Sequence, residues 1–268
     1  MPKTGPAKTL TNAQYRHVLE VIENHRHPEK NALIVEISFK LGLRVQELSL
    51  LRIGEVATLS AQYTGGYELK DELRLPKRFT KGARAIKVAG NKKKPVRVSF
   101  SAEKFDDIVQ NIVRMTKLGE DVDPSKYYPK QKPKGGKSRV LPLTDHRLLS
   151  ALHRYLLFRM AKNPHLKVSD PLILSQKVSG WYSPNTLQNH IGKIYKQWAG
   201  ITGASSHSGR KSLLTRVIRE DNASGNSLKA AQEIAGHIDP STTLIYNVVP
   251  EAEISERLEE AGSSYDLK

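Results

Sequence analysis

Residues 61 to 137 hold 19 lysines and arginines against 9 aspartates and glutamates, an excess of ten within a chain whose net charge is +16. An excess of that size makes this segment the part of the chain most suited to meet a polyanion. Within the segment, Glu72-Leu73-Arg74-Leu75, Ala85-Ile86-Lys87-Val88 and Val96-Arg97-Val98-Ser99-Phe100 look like short strands. Gly90-Asn91 signals a turn and leads into Lys92-Lys93-Lys94. A helix is predicted over 102–117, with Phe105, Ile108, Val109, Ile112, Val113 and Met115 apolar, followed by a loop rich in Pro, Tyr and Lys to residue 136. Charge clustered on strands and loops fits a groove that tracks a phosphate backbone, and it equally fits a solvated basic face.

The flanks carry helical periodicity. Thr11 is placed to cap a helix bearing Tyr15, Val18, Leu19 and Ile22, and a nearly all-apolar helix follows from about Asn31 to Leu41, stopped by Gly42. His25 and His27 fall in a polar turn and read as surface residues. After Gly135-Gly136, Lys137-Ser138-Arg139-Val140-Leu141-Pro142-Leu143 reads as a short strand. Thr144-Asp145 opens a helix through Leu148, Leu152 and Leu156, and Ser183-Pro184 opens another that runs to about Trp198. His190, Lys193 and Lys196 form the polar face of that last helix, a face that could meet DNA. The expected fold is mainly α with a small antiparallel β-sheet, an α+β architecture. An apolar fraction of 38% suffices for a core. The absence of cysteine excludes disulfides and thiolate metal sites, and suits a reducing compartment. The N-terminus lacks a signal-peptide core, and no window reaches the apolar length of a membrane span. These features predict a soluble intracellular protein whose partner is a polyanion, with nucleic acid the foremost candidate.

Four short patterns carry chemistry. Leu43-Arg44-Val45-Gln46-Glu47-Leu48 follows Gly42, so Arg44 starts a helix and Glu47 lies one turn on. The pair is either a surface ion pair or a guanidinium held in place to face a pocket. His207-Ser208-Gly209-Arg210, Gly236-His237 and Tyr246 supply the others. An arginine grips a phosphate with a permanently charged fork, a histidine donates to a phosphate oxygen or moves a proton, and a tyrosine hydroxyl can form a covalent intermediate. There are no clustered carboxylates for a two-metal nuclease, and no third ligand has suitable spacing to His207 and His237.

Taken in this order and spacing, the patterns resemble the tyrosine recombinase (phage integrase) family, over about residues 9–58 and 134–258. The run Ser241-Thr242-Thr243-Leu244-Ile245-Tyr246 matches that family's approach to its nucleophile, and Gly203-Ala204-Ser205-Ser206-His207-Ser208-Gly209-Arg210 resembles a compact bacterial branch. The resemblance implies the family's catalytic-domain fold and a site-specific recombinase that cuts and rejoins DNA through a 3′-phosphotyrosyl intermediate, without metal, cofactor or ATP. Arg44, Lys134, His207, Arg210, His237 and Tyr246 would be catalytic, supported by Glu47. It further implies double-stranded DNA at specific recombination sites as partner, a tetramer on DNA, and room for a DNA-bending protein or a second recombinase. The setting would be a bacterial cytoplasm. A type IB topoisomerase-like relaxation activity, or a DNA-binding architectural or directionality factor, are the alternatives.

The chain departs from the family in two ways. The catalytic pattern begins by residue 9, so residues 1–268 are expected to be a single catalytic domain with no N-terminal core-binding domain. Residues 61–133 look like a basic insertion that enlarges the family's β-hairpin. The hairpin lysine is therefore ambiguous. Lys134-Gly135-Gly136-Lys137-Ser138-Arg139-Val140-Leu141-Pro142-Leu143 fits the family's Lys-Gly-x-Lys-x-Arg-x-x-Pro-Leu, while Thr80-Lys81-Gly82-Ala83-Arg84 makes Lys81 the alternative. Lys92, Lys93, Lys94, Arg97, Lys130, Lys132, Lys137, Lys193 and Lys211 are the expected DNA-contacting residues. The tail, 251–268, is expected to be exchanged between subunits.

Overall fold

The computed structural model describes residues 7–60, 66–76, 79, 101–120, 138–176, 179–220, 226–237 and 239–247. It divides into two compact units, one formed by residues 1–81 and 136–268 and the other by residues 82–135. The strand-like runs at 85–88 and 96–100 lie outside the described residues. So do Lys81, Lys92, Lys93, Lys94, Arg97, Lys130, Lys132, Lys134, Lys137 and the tail.

The first unit is helical with short antiparallel β-pairs. Helix α1 (Asn12–Glu23) begins with a reciprocal capping box. Thr11 Oγ1 accepts from the Gln14 N–H, and the Gln14 side chain accepts from the Thr11 N–H. Its Tyr15, Val18 and Ile22 turn inward. Helix α2 (Pro28–Lys40) is buried on almost every side, as its continuous apolar run requires of a central helix. Helix α6 (His146–Lys162), capped by the Asp145 carboxylate, packs on α2 through Leu148, Leu152 and Leu156. Between α2 and α6 in the chain come α3 (Val45–Leu50), α4 (Ile53–Val56) and strands β1 (Ala57–Leu59), β2 (Tyr67–Leu69) and β3 (Glu72–Leu75). Helix α5 (Ala102–Lys117) and strand β4 (Arg139–Pro142) complete that stretch. Strand β1 pairs with β2, and β3 pairs antiparallel with β4 in a register that sets Glu72 opposite Pro142 and Leu75 opposite Arg139. The described sheet is thus two separate two-stranded pieces rather than one, and β1 and β2 have no counterpart among the expected strands.

Helix α7 (Pro184–Lys193) begins at the Ser183 cap and passes into a π-helical turn at Ile194–Trp198. That turn is closed by the Ala199 N–H on the Ile194 carbonyl. His190 does not face outward as expected. It is half-buried, with Nε2 2.7 Å from Asn31 Oδ1, and burial together with the Lys30 charge pulls its pKa down to about 4. Neutral at physiological pH and packed against Trp198, it belongs to the interior. Helices α8 (Ser208–Glu220) and α9 (Ser227–Ala235) enclose a smaller core of Leu214, Ile218, Ala231 and Ala235, and the short α10 (Ser241–Leu244) leads to Tyr246.

Gly209 sets how closely α8 meets α2. A Cβ at that position would fall 2.3 Å from Ser38 Oγ and 2.9 Å from Ser38 Cβ, so only glycine admits this contact, which carries Arg210 inward.

Candidate functional site

The site is assembled at the C-terminal end of α9. A helix leaves its last carbonyls without intrahelical partners. Here the Gly236 N–H closes on Glu233 and the His237 N–H on Gln232, while Gly236 takes the left-handed conformation with φ +61°. The Ala235 carbonyl is left to two arginines. Arg210 Nη2 donates to it at 2.8 Å and Arg44 Nη1 at 3.2 Å. The negative end of the α9 dipole favours both cations.

Arg210 is 2% exposed and has backbone and imidazole partners rather than a carboxylate. Nη1 donates to the Gly42 carbonyl, and Nη2 also lies 3.1 Å from His237 Nε2. Burial, reinforced by the neighbouring Arg44 charge, lowers its pKa to about 10, which leaves it protonated at neutral pH. Arg44 enters from the start of α3. Glu47 receives the Arg44 backbone N–H at 2.8 Å and Nη1 at 3.1 Å. The pair is therefore the positioned guanidinium of the two readings left open by the sequence.

The Glu47 carboxylate is fully buried and serves a second arginine. Arg139 on β4 binds it with a bidentate fork, Nη1 to Oε1 at 3.0 Å and Nη2 to Oε2 at 2.8 Å. Burial alone would raise the Glu47 pKa. The Arg139 hydrogen bonds and charge, followed by Arg44, outweigh it and hold the carboxyl below its usual value. Arg139 also underlies the Gly-His turn, because a Cβ at Gly236 would stand 2.8 Å from Arg139 Nη1. Sequence reasoning gives Arg139 no role, although a signal is there. Arg139, Leu141 and Leu143 alternate on the buried face while Val140 is exposed, so a charged residue stands at an inward position of a strand.

His237 is buried. It lies with Nδ1 2.9 Å from Thr243 Oγ1, and burial together with the charges of Arg210, Arg44 and Arg139 takes its pKa down to about 4. A neutral ring that accepts from Arg210 at Nε2 donates from Nδ1 to Thr243. The Tyr246 ring stacks on His237 with centroids 6.0 Å apart and planes 15° apart, and is half-buried against the α8–α9 core. Two guanidinium groups thus share one carboxylate and a third, Arg210, has none, leaving fixed positive charge beside a half-buried tyrosine. Such an arrangement stabilises an anion without reorganisation.

Hydrogen bonds and ring stacking join Arg44, Glu47, Arg210, His237 and Tyr246 into one cluster. His207 lies at the exposed start of α8, its carbonyl accepting from the Lys211 N–H and its own N–H donating to Ser205 Oγ at 3.3 Å. Lys211 is half-buried on the first turn of α8. Lys193 is exposed and lines a shallow polar groove with Lys196, Ser205 and Ser206, beside the loop that delivers His207. Lys81 and Lys134 fall in the connection between β3 and β4, since Leu75 pairs with Arg139. Both lie outside the described residues, and the ladder does not choose between them.

A tyrosine recombinase XerA from Pyrococcus furiosus is 33% identical over 262 residues, covering 98% of this chain and 64% of that protein. A tyrosine recombinase XerA from Pyrococcus horikoshii is 32% identical over 128 residues, covering 48% of this chain and 41% of its own length. The crystal structure of a XerA recombinase superposes with a TM-score of 0.55 at 16% identity, over 95% of this chain and 65% of that one, a likeness of fold. The chain spans between 41% and 64% of the length of these two curated relatives. A model described as the phage integrase family matches residues 107–253, more than half of the chain, and takes in His207, Arg210, His237 and Tyr246. On that match the chain belongs to the phage integrase family.

Proposed function

We propose that the protein is a site-specific DNA recombinase that breaks and rejoins DNA strands through a tyrosine–phosphate link. The observation that carries this reading is the excess of buried guanidinium charge beside the half-buried ring of Tyr246. Tyr246 Oη attacks the scissile phosphorus as the bond to the 5′-oxygen breaks, giving a 3′-phosphotyrosine and a free 5′-hydroxyl. Arg44 and Arg210 hold the non-bridging oxygens, where negative charge grows. His237 donates to the same phosphate from Nε2, which requires the ring to release Arg210 and to carry its proton on Nε2, with Nδ1 then accepting from the Thr243 hydroxyl. His207 takes the tyrosine proton, and the hairpin lysine, Lys134 or Lys81, protonates the departing 5′-oxygen. Attack by a 5′-hydroxyl from a second duplex reverses these steps and joins the new strand. The phosphotyrosyl link conserves the phosphodiester energy, so no ATP is needed, and the two arginines and the lysine do the electrostatic work that a metal would otherwise do. Two duplexes require four protomers, with segment 251–268 reaching a neighbour.

The experiment is covalent trapping on a nicked suicide substrate drawn from DNA that the protein itself selects. The protein should form a denaturant-stable adduct that is lost in Tyr246→Phe, and should exchange strands between two sites. Binding without any adduct would leave an architectural factor instead, and relaxation of supercoils without two-site exchange would indicate a topoisomerase.

A further inference from the structure

A cavity of about 490 Å³ opens between the start of α2, the end of α6 and the chain that follows α6. Lys30, on the first turn of α2, lines it, whereas Arg44 follows the last turn of that helix. A helix of this length is about 20 Å long, so the cavity lies away from the catalytic cluster. Two of its cations are buried, Lys30 and Arg159, each 5% exposed. Lys30 Nζ donates to Tyr182 Oη at 3.1 Å and lies 5.4 Å from the centroid of that ring. Arg159 Nη1 donates to the Pro171 and Leu172 carbonyls at 2.9 and 3.1 Å, and among the described residues no acceptor meets Nη2 or Nε. These contacts satisfy hydrogen bonds but supply no counter-charge. Burial lowers the Lys30 pKa, and no carboxylate acts against it.

The rest of the lining indicates what would supply that counter-charge. Lys162 adds a third cation, its Nζ 4.4 Å from the centroid of the Phe158 ring. His27 adds none, because burial and the Lys30 charge lower its pKa. Asp170 is the one carboxylate of the described lining, and its Oδ2 accepts from the Lys167 N–H. Three cations against one anion leave a positive charge of two, which matches a phosphate monoester near neutral pH. Phe158, Pro171 and Leu174 form an apolar wall that a bare ion would leave unused. A buried charge without a partner is costly, and a bound anion removes that cost. We propose that this cavity binds a small phosphomonoester with an apolar or aromatic body, its phosphate on Lys30 and Arg159 and its body against Phe158 and Leu174. The site neither uses Tyr246 nor depends on the strand-exchange reaction.

The test is isothermal titration calorimetry of the full chain, free of DNA, with phenyl phosphate, inorganic phosphate and phenol. Phenyl phosphate should bind at least about tenfold more tightly than either of its parts, because it alone meets both the cations and the apolar wall. A basic surface also takes up anions loosely, so the decisive reading is the difference from Lys30→Met. That variant should bind phenyl phosphate at least about tenfold more weakly, the loss of a charge-assisted hydrogen bond. Lys162→Gln, at an exposed position, should weaken binding about threefold. It reads the same site should Lys30→Met not fold, which circular dichroism checks. A wild type that does not bind phenyl phosphate would overturn the proposal. So would phosphate or phenol bound as tightly, or an affinity unchanged in the two variants.

Discussion

Arg139 is the residue on which the separate motifs meet. One buried guanidinium satisfies Glu47, and Glu47 in turn orients Arg44, while the same guanidinium fills the space beneath Gly236. Removing it leaves a buried carboxylate with Arg44 as its remaining charged partner. Arg139→Gln is expected to cost about 3–5 kcal/mol of stability at pH 7, the range for breaking a buried ion pair. The pH dependence gives this loss a signature. In the wild type the folded Glu47 pKa is depressed, so its contribution is present above the unfolded value and is lost as pH falls through the folded one. Without Arg139, burial dominates and the carboxyl is pushed upward, so protonation relieves the variant as pH falls. Urea unfolding at pH 7 and at a pH near the ordinary carboxylate range should show the gap between the two proteins shrinking at the lower pH. An equal gap at both would detach Arg139 from Glu47. Arg44 and Glu47 were legible because they stand three residues apart on one helix. The Arg139–Glu47 pair spans 92 positions, and no local pattern announces a partner at that distance.

At the scale of elements, the sequence marked the helices where caps and periodicity coincide. Thr11, Asp145 and Ser183 are caps, Gly236 is a left-handed stop, and α5 has the bounds its pattern suggests. Strands β1 and β2, three residues each, are too short for an alternation to register, and their pairing comes from tertiary contact. The π turn at Ile194–Trp198 keeps the periodicity of an ordinary helix end and so looks like one in sequence. The packing of α8 on α2 is also invisible in either helix alone. Gly209→Ala is expected to destabilise by about 1–3 kcal/mol, the cost of overpacking. Gly192→Ala, inside α7 with nothing within 4 Å of a built Cβ, should be neutral or gain up to about 1 kcal/mol. Denaturant melts of the two variants compare a close helix approach with an open position. Equal effects would mean that Ser38 gives way to the added methyl.

At the scale of the whole molecule, charge is the governing quantity. Ten of the sixteen net positive charges sit in residues 61–137, outside the segments that supply Arg44, Arg210, His237 and Tyr246. If that segment grips the DNA backbone, it contributes to affinity as well as carrying the hairpin lysine. Replacing Lys92, Lys93, Lys94 and Arg97 with glutamine in a Tyr246→Phe background should lower the slope of log affinity against log salt by roughly 3–4, at about 0.9 for each phosphate that is no longer neutralised. A fluorescence titration of labelled duplex at several salt concentrations measures it, and an unchanged slope would return those residues to a solvated face.

The β3–β4 ladder has one further consequence. Paired residues such as Leu75 and Arg139 have Cα atoms about 5 Å apart, so the stretch of chain between β3 and β4 begins and ends at nearly the same point of the ladder. A module joined through neighbouring ends can be exchanged, shortened or replaced with little strain on its host. The stretch between β3 and β4 can therefore change in length while the ladder, and Arg139 with its buried carboxylate, is kept.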